Sequence, residues 1–408
     1  MQDGTALALD GHVQMLGFIA YACLTALGVK TLLVLVCACL PRRGRLGLSM
    51  LFLGTLALVL LFLADSGVLT TRSSGVVTAT LGYYLVVSGV VFRLARHVRT
   101  NSLKKDVLFA VVALLYVFAP AFFVRSWGAL ALLTLGWKLA LSSYSYCVES
   151  VRMTAPRFSE FMFFAWIDPA LSYPERSRSA WIPQRTALKR LITGASTMIV
   201  GQQVLSRWPW LIGALSEGLE GRVPRVFVIT LSAAAFFFPL FWLRAGAASV
   251  RIALMQASGY QTPECFKEPY RANSPSDFWR RWNCWVGAWL KRYVFTPFSL
   301  WMIRRSKSVA PARSTLPARV VALLGSFVVM GALHDWLTWA AQGMLFLVYV
   351  RVFAFAAVGL LVWEAIAVVA ARRELTLARW SAAKRMATAA YGAAYICIMV
   401  LLATTPPI

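Results

Sequence analysis

Apolar runs fall near residues 13–40, 46–64, 75–92, 107–124, 127–147, 190–214, 226–250, 319–342, 346–370 and 386–404, each long enough or nearly long enough to cross a bilayer as a helix. The pattern predicts an all-α bundle of about ten spans. The polar gaps alternate in charge. Arg42, Arg43 and Arg45 follow the first run, Asp65 and Arg72 the second, and Arg93, Arg96, Arg99, Lys104 and Lys105 the third. Only Arg125 follows the fourth; Arg152, Arg157, Arg176, Arg178 and Arg185 follow the fifth; Glu217, Glu220, Arg222 and Arg225 balance after the sixth. By the positive-inside rule every odd-numbered run ends in the cytoplasm, which puts both termini outside.

Composition narrows the class. The 408-residue chain is 59% hydrophobic and 14% charged, with a mean hydropathy of +0.67, which excludes an ordinary soluble protein. Its 41 Lys+Arg against 16 Asp+Glu recur between the apolar runs instead of forming one patch, so the basic excess reports topology and lipid headgroups, not nucleic acid. Seven cysteines give no CxxC pair and no Cys/His spacing for zinc or iron–sulfur, so neither a metal nor a disulfide framework is expected. Asp3 and Asp10 stand where a signal peptide has a basic region, so the first run reads as a retained span. No repeat divides the chain, and 1–408 reads as one membrane domain. Within it, 149–186, broken by Pro169 and Pro174, is expected along the interface, and the Ser/Pro/Arg-rich stretch 304–319 as a mobile cytoplasmic linker. Arginine's dominance over lysine fits a GC-rich genome, hence a bacterial inner membrane, with the endoplasmic reticulum as the eukaryotic alternative.

Polar chemistry concentrates in 266–298, FKEPYRANSPSDFWRRWNCWVGAWLKRYVFTPF. Its apolar centre, Trp282 to Leu290, would rise only about 14 Å as a helix and is bracketed by Arg280 and Arg281 before and Lys291 and Arg292 after. That predicts a re-entrant or interfacial helix facing an internal cavity. Helical spacing sets Trp279, Trp282, Val286, Trp289 and Tyr293 on one stripe and Asn283 on another, with Gly287 one turn later leaving room beside the amide. A second singular position is His334, well inside the apolar run FVVMGALHDWLTWA. An imidazole at membrane depth marks a functional site by default, with a helix-packing histidine as the alternative. Lys30, Lys138, Arg351 and Glu364 suit an aqueous path, or equally snorkelling and mutual pairing.

These stretches carry a family resemblance. FWRRWN followed by WLKRYVFTPF resembles the signature segment of membrane-bound O-acyltransferases, and FKEPY ahead of SPSDFWRRWN is similar to the wax-synthase branch, whose plant members carry a Gly between the Trp and the Arg pair that is missing here. The family's histidine follows a glycine in a downstream apolar helix, as S-G-x-x-H-E; Gly331, His334 and Asp335 occupy those places, with Asp for Glu and Met330 for Ser. The P-x-L-x-Y-P pattern from Pro169 to Pro174 is loosely similar to a segment of sterol and diacylglycerol acyltransferases.

The resemblance implies transfer of a long-chain acyl group from acyl-CoA to the hydroxyl of a lipophilic acceptor. A fatty alcohol, giving a wax ester, is favoured; a diacylglycerol, a sterol or another lipid or small-molecule hydroxyl stays open. His334 would be the base and Asn283 would orient the acyl carbonyl. Arg280, Arg281, Lys291 and Arg292 would meet the donor's phosphates, and Trp279 and Trp282 would wall its chain. No cofactor is implied beyond the donor substrate. The same residues have plainer uses: Asn283 as a helix cap, the cations as headgroup anchors, the tryptophans as an interfacial belt. Cys284 lacks an adjacent base, which argues against a covalent cysteine route. From another class, a transporter or lipid flippase also needs many helices and intramembrane charge, but the chain has no repeat and an isolated His/Asn pair. GxSxG, P-loop and HExxH motifs are absent, which removes serine hydrolases, ATPases and zincins as leading candidates.

Overall fold

The computed structural model describes residues 71–95, 102–121, 129–153, 157–208, 225–309, 316–342 and 347–372, with positions 210, 213 and 391. The apolar runs at 13–40 and 46–64, the run at 386–404 apart from Tyr391, and loop cations such as Arg43 and Arg99 lie outside the described residues. The helices are α1 (Thr71–Ala95), α2 (Ser102–Ala113), α3 (Ala129–Met153), α4 (Phe158–Met162), α5 (Gln184–Ser206), α6 (Arg225–Ala257), α7 (Pro275–Arg281), α8 (Cys284–Leu290), α9 (Thr296–Val309), α10 (Leu316–Gln342) and α11 (Val348–Arg372). Three of them hold stretches long and apolar enough to cross a membrane: Phe238–Ala257 in α6, Pro317–Ala340 in α10 and Val348–Val369 in α11.

Two cores hold the site in place. In the first, α1, α2 and α3 bury Tyr84, Tyr116 and Tyr146 together with Phe161 and Phe164 from α4 and its continuation. These rings keep their hydroxyls satisfied, as burial demands: Tyr84 donates to Leu132 O at 3.0 Å, and the Tyr116 hydroxyl meets Ser88 Oγ at 2.7 Å. In the second, Leu141 of α3, Ala248 and Ile252 of α6, and Trp285 and Trp289 of α8 close around Cys265. Helix α6 is braced from behind by α5, where a methyl on Gly246 would stand 2.5 Å from Met198 N, so the two backbones touch.

Two segments differ from what the sequence suggests. Stretch 149–186, expected along the interface, buries Phe161, Phe164, Ala165, Asp168, Ala170 and Tyr173. Its carbonyls explain part of this: Lys138 of α3 donates to Phe164 O at 3.0 Å and to Ala165 O, ending the π turn Phe163–Ile167. Trp181, by contrast, is 87% exposed. Stretch 304–319, expected as a linker, is helical through Val309 and again from Leu316, because α9 carries the signature segment onward. Residues 310–315 lie outside the described residues. At the ends of the α5–α6 pair away from the connection between them, the two-residue strands β1 (Arg178–Ser179), before α5, and β2 (Tyr260–Gln261), after α6, pair antiparallel and pin the chain just before the signature segment.

Candidate active site

The signature segment is not one helix. Ser274 caps α7 by accepting from Asp277 N at 3.1 Å, and Pro275 opens the first turn. Asp277 then accepts from Arg280 at 2.6 Å, Arg281 at 2.9 Å and Asn273 N at 3.2 Å. Burial raises the Asp277 carboxyl, but the hydrogen bonds from Arg281 and Arg280 outweigh it and hold it below the usual carboxylate range. Helix α7 ends at Arg281, Trp282 is extended, and Asn283 adopts a left-handed conformation at φ 42° and ψ 59° before α8 begins. The single stripe expected from periodicity therefore breaks between Trp282 and Val286.

The break is held from a distance. Lys267 N donates to Arg281 O at 2.9 Å, and Cys284 N to Cys265 O at 2.7 Å, so the loop before α7 clamps both sides of Asn283. Asparagine is one of the few side-chain-bearing residues that tolerates this backbone. It makes no side-chain cap bond, so the helix-cap use does not apply. Instead Cys265 donates from Sγ to Asn283 Oδ1 at 3.6 Å, which leaves the amide NH₂ to point elsewhere. Burial pushes the Cys265 thiol up to about 12, so it stays protonated and keeps donating. One turn on, a methyl added to Gly287 would meet nothing within 4 Å, so there is open space beside that turn.

Helix α8 does not stop at Leu290. It runs through the π turn Lys291–Phe295 into α9, which corrects the expectation of a short isolated helix. The π turn aims Arg292 and Tyr293 at α3: Arg292 forms a two-pronged pair with buried Glu149 at 3.0 and 3.1 Å, and Tyr293 meets Ser145 at 2.7 Å. The four basic residues flanking the segment are thus of two kinds. Arg281 and Arg292 are committed to Asp277, Lys267 O and Glu149. Arg280 keeps 78% of its side chain exposed beside Asp277, and Lys291 is exposed. Trp279 is anchored by its indole N–H on the Tyr391 hydroxyl at 2.8 Å and packs on Phe327 and Phe353, while Trp282 stacks on Phe278 and meets Phe266 and Phe241.

His334 sits inside unbroken α10. Its Nδ1 lies 2.8 Å from Met330 O; a carbonyl only accepts, so Nδ1 carries the proton and Nε2 keeps its lone pair. The ring rests on Tyr349 and Phe353 of α11, with centroids 5.3 and 5.2 Å away. That contact depends on Gly331, where a methyl would stand 2.4 Å from Val350 Cα. Asp335 is 3% exposed and accepts from Tyr349 N at 2.9 Å and Val350 N at 2.7 Å, capping the start of α11. The carboxylate next to the histidine is therefore a fastening between helices.

No direct contact joins Asn283 to His334 among the described residues. Phe353 touches both His334 and Trp279 of α7, four residues before Asn283. Arg244 of α6, an arginine inside the apolar run 226–250 that the motif pattern does not single out, lies within electrostatic reach of His334, Tyr349 and Cys265. Of the positions expected along an aqueous path, Lys138 and Arg351 donate to backbone carbonyls and Glu364 accepts from Ser276 Oγ. A cavity of about 250 Å³, lined by Ala332, Asp335, Trp336, Trp339 and Leu347, flanks the α10–α11 corner. A second, of about 40 Å³, lies against Cys284 and Trp285 between Ser172 and Lys267. Neither is lined by Asn283 or by His334.

Residues 139–355, more than half of the chain, match the MBOAT, membrane-bound O-acyltransferase family. The chain belongs to that family. Asn283, His334, Arg244 and the Glu149–Arg292 pair all fall within the matched region of this O-acyltransferase family member, which is accordingly an integral, multi-pass membrane protein. It is 26% identical over 217 residues to diacylglycerol O-acyltransferase 1-1 of Oryza sativa subsp. japonica, covering 50% of this chain and 36% of the relative. It is 24% identical over 238 residues to sterol O-acyltransferase 2 of Mus musculus, covering 53% of this chain and 41% of the relative. A shorter match, 32% over 66 residues, covers 16% of this chain and 17% of teichoic acid D-alanyltransferase of Bacillus subtilis (strain 168). The chain thus spans less than half the length of each of these relatives.

Proposed function

We propose that the protein moves a long-chain acyl group from acyl-CoA to the hydroxyl of a lipophilic acceptor, with His334 as general base and Asn283 holding the acyl carbonyl. The observation that carries this reading is the His334 ring: Nδ1–H is spent on Met330 O, so Nε2 is the basic nitrogen in an aromatic setting. The hydroxyl proton goes to Nε2 as the oxygen attacks the thioester carbon. The carbonyl electron pair moves onto oxygen, where the Asn283 NH₂ donates to it, and then returns to break the C–S bond. The departing sulfur takes the proton back from the imidazolium, and the ester and free thiol leave. Arg280 and Lys291, exposed cations on either side of the segment's apolar centre, serve the donor's phosphates from the cytoplasmic face of a bacterial inner membrane.

Among acceptors a fatty alcohol is favoured by the FKEPY and SPSDFWRRWN stretches. A diacylglycerol is the second reading, supported by the rice relative, whose match covers half of this chain. The test is thiol release by purified full-length protein in lipid nanodiscs, given acyl-CoA with hexadecanol, diacylglycerol or cholesterol. The reading requires acceptor-dependent release that His334→Ala abolishes. Release without ester formation, or transport of lipid without release, would replace it with a thioesterase or a flippase.

A further inference from the structure

Arg244 occupies the face of α6 that looks onto the signature segment. Phe241, Arg244, Ala248, Arg251 and Ile252 follow helical spacing along one stripe. Above Arg244, Phe241 packs on Phe266 and Trp282, with centroids 5.6 and 6.0 Å away. Below it, Ala248 and Ile252 pack with Cys265, Trp285 and Trp289, and the Arg251 guanidinium lies 5.2 Å from the Trp285 ring. The signature residues met on either side are therefore Trp282 and Trp285, and Asn283 lies between them in sequence. Arg244 is also within electrostatic reach of Cys265, the residue bonded to the Asn283 amide, and of His334 and Tyr349 on the other side.

The residue is exposed, and among the described residues it has no hydrogen bond, ion pair or ring partner. An unpaired cation at membrane depth is costly unless it faces a cavity and meets a negative charge there. Phosphates at the cytoplasmic end of α6 do not fit: Arg244 lies thirteen residues before Ala257, roughly 20 Å up the helix at 1.5 Å per residue. What reaches such a depth on an acyl thioester is its reacting end, where negative charge appears on the carbonyl oxygen when the hydroxyl adds and on sulfur when the C–S bond breaks.

We propose that Arg244 is a catalytic residue that donates from its guanidinium to the oxyanion of the tetrahedral intermediate, opposite His334 and together with the Asn283 amide. The inference rests on the acyl-transfer reading above. A charged donor aimed at charge that exists only during reaction lowers the barrier without tightening either substrate.

The experiment compares wild type, Arg244→Gln, Arg244→Lys and Arg244→Ala as full-length protein in nanodiscs, with acyl-CoA and whichever of hexadecanol, diacylglycerol and cholesterol supports thiol release. Arg244→Gln is expected to lower kcat about 10²-fold while both KM values stay within about threefold, and Arg244→Lys to recover about tenfold of that loss. Millimolar guanidinium should restore part of the Arg244→Ala rate and leave wild type unchanged, a response that misfolding cannot produce. Wild-type kcat in Arg244→Gln overturns the proposal, as does a loss confined to one substrate's KM, which would make Arg244 an anchor for that substrate. If wild type itself releases no thiol with any acceptor, the acyl-transfer reading falls first; if wild type is active, His334→Ala is dead and Arg244→Gln is normal, only the Arg244 inference falls.

Discussion

Asn283 and His334 are held by opposite means. Asn283 stands at a break, where a left-handed residue separates two short helices and a preceding loop clamps the chain through Cys265 and Lys267. His334 stands within an unbroken helix, fixed by a bond to the carbonyl four residues earlier and by two aromatic rings of the next helix. The first arrangement uses many weak, long-range contacts; the second uses a regular backbone and one close helix approach. Local changes should therefore be felt as lost geometry on the signature side and as lost chemistry or lost hairpin packing on the histidine side.

The largest expected effect breaks the histidine side. His334→Ala should cut turnover by at least about 10² while acyl-CoA binding persists, read as kcat against donor affinity, since base catalysis contributes about 10²–10⁴. Asn283→Gly sharpens the comparison, because glycine accepts the left-handed backbone but has no amide. Turnover should fall about 10²-fold with thermal stability unchanged or slightly higher; an equal loss in stability would mean the side chain serves the break and not the reaction. Asp335→Ala should cost about 1 kcal/mol of unfolding stability by uncapping α11, with turnover falling only as far as the hairpin loosens. Smaller still, Arg280→Gln should raise the acyl-CoA KM by about threefold, whereas Arg281→Gln and Arg292→Gln should lower the yield of folded protein, since those cations hold Asp277 and Glu149. Last, Asp277 has a folded pKa below its unfolded value of about 3.9, so its support of α7 is complete above that value and disappears as pH falls through the folded one. Tryptophan fluorescence of the segment should stay flat from neutral pH to about 5 and change below about 4.

Much of this was legible in the sequence. The apolar runs mark α6, α10 and α11, and the singular amide and imidazole identify the two positions worth asking about. The break at Trp282–Asn283 was not legible, because no glycine or proline announces it and the clamp comes from Cys265 and Lys267, well upstream. The Arg292–Glu149 pair joins residues 143 apart, so local pattern makes Arg292 look like any flanking cation. The same holds for Asp335, which replaces the expected glutamate and whose partners are backbone N–H groups of the next helix. Arg244 carried one signal, a charge inside an apolar run, but which way it faces depends on how α6 meets the loop that follows.

The seam between α10 and α11 decides how anything reaches the imidazole. Backbone contact at Gly331 and the two bonds from Asp335 to Tyr349 and Val350 fasten it three residues before and one residue after His334. A lipid would have to part these contacts to pass between the two helices at that level. On the acyl-transfer reading proposed above, donor and acceptor would then come to the ring from the side of α6 and the signature segment, and the order in which they bind becomes a kinetic quantity to measure.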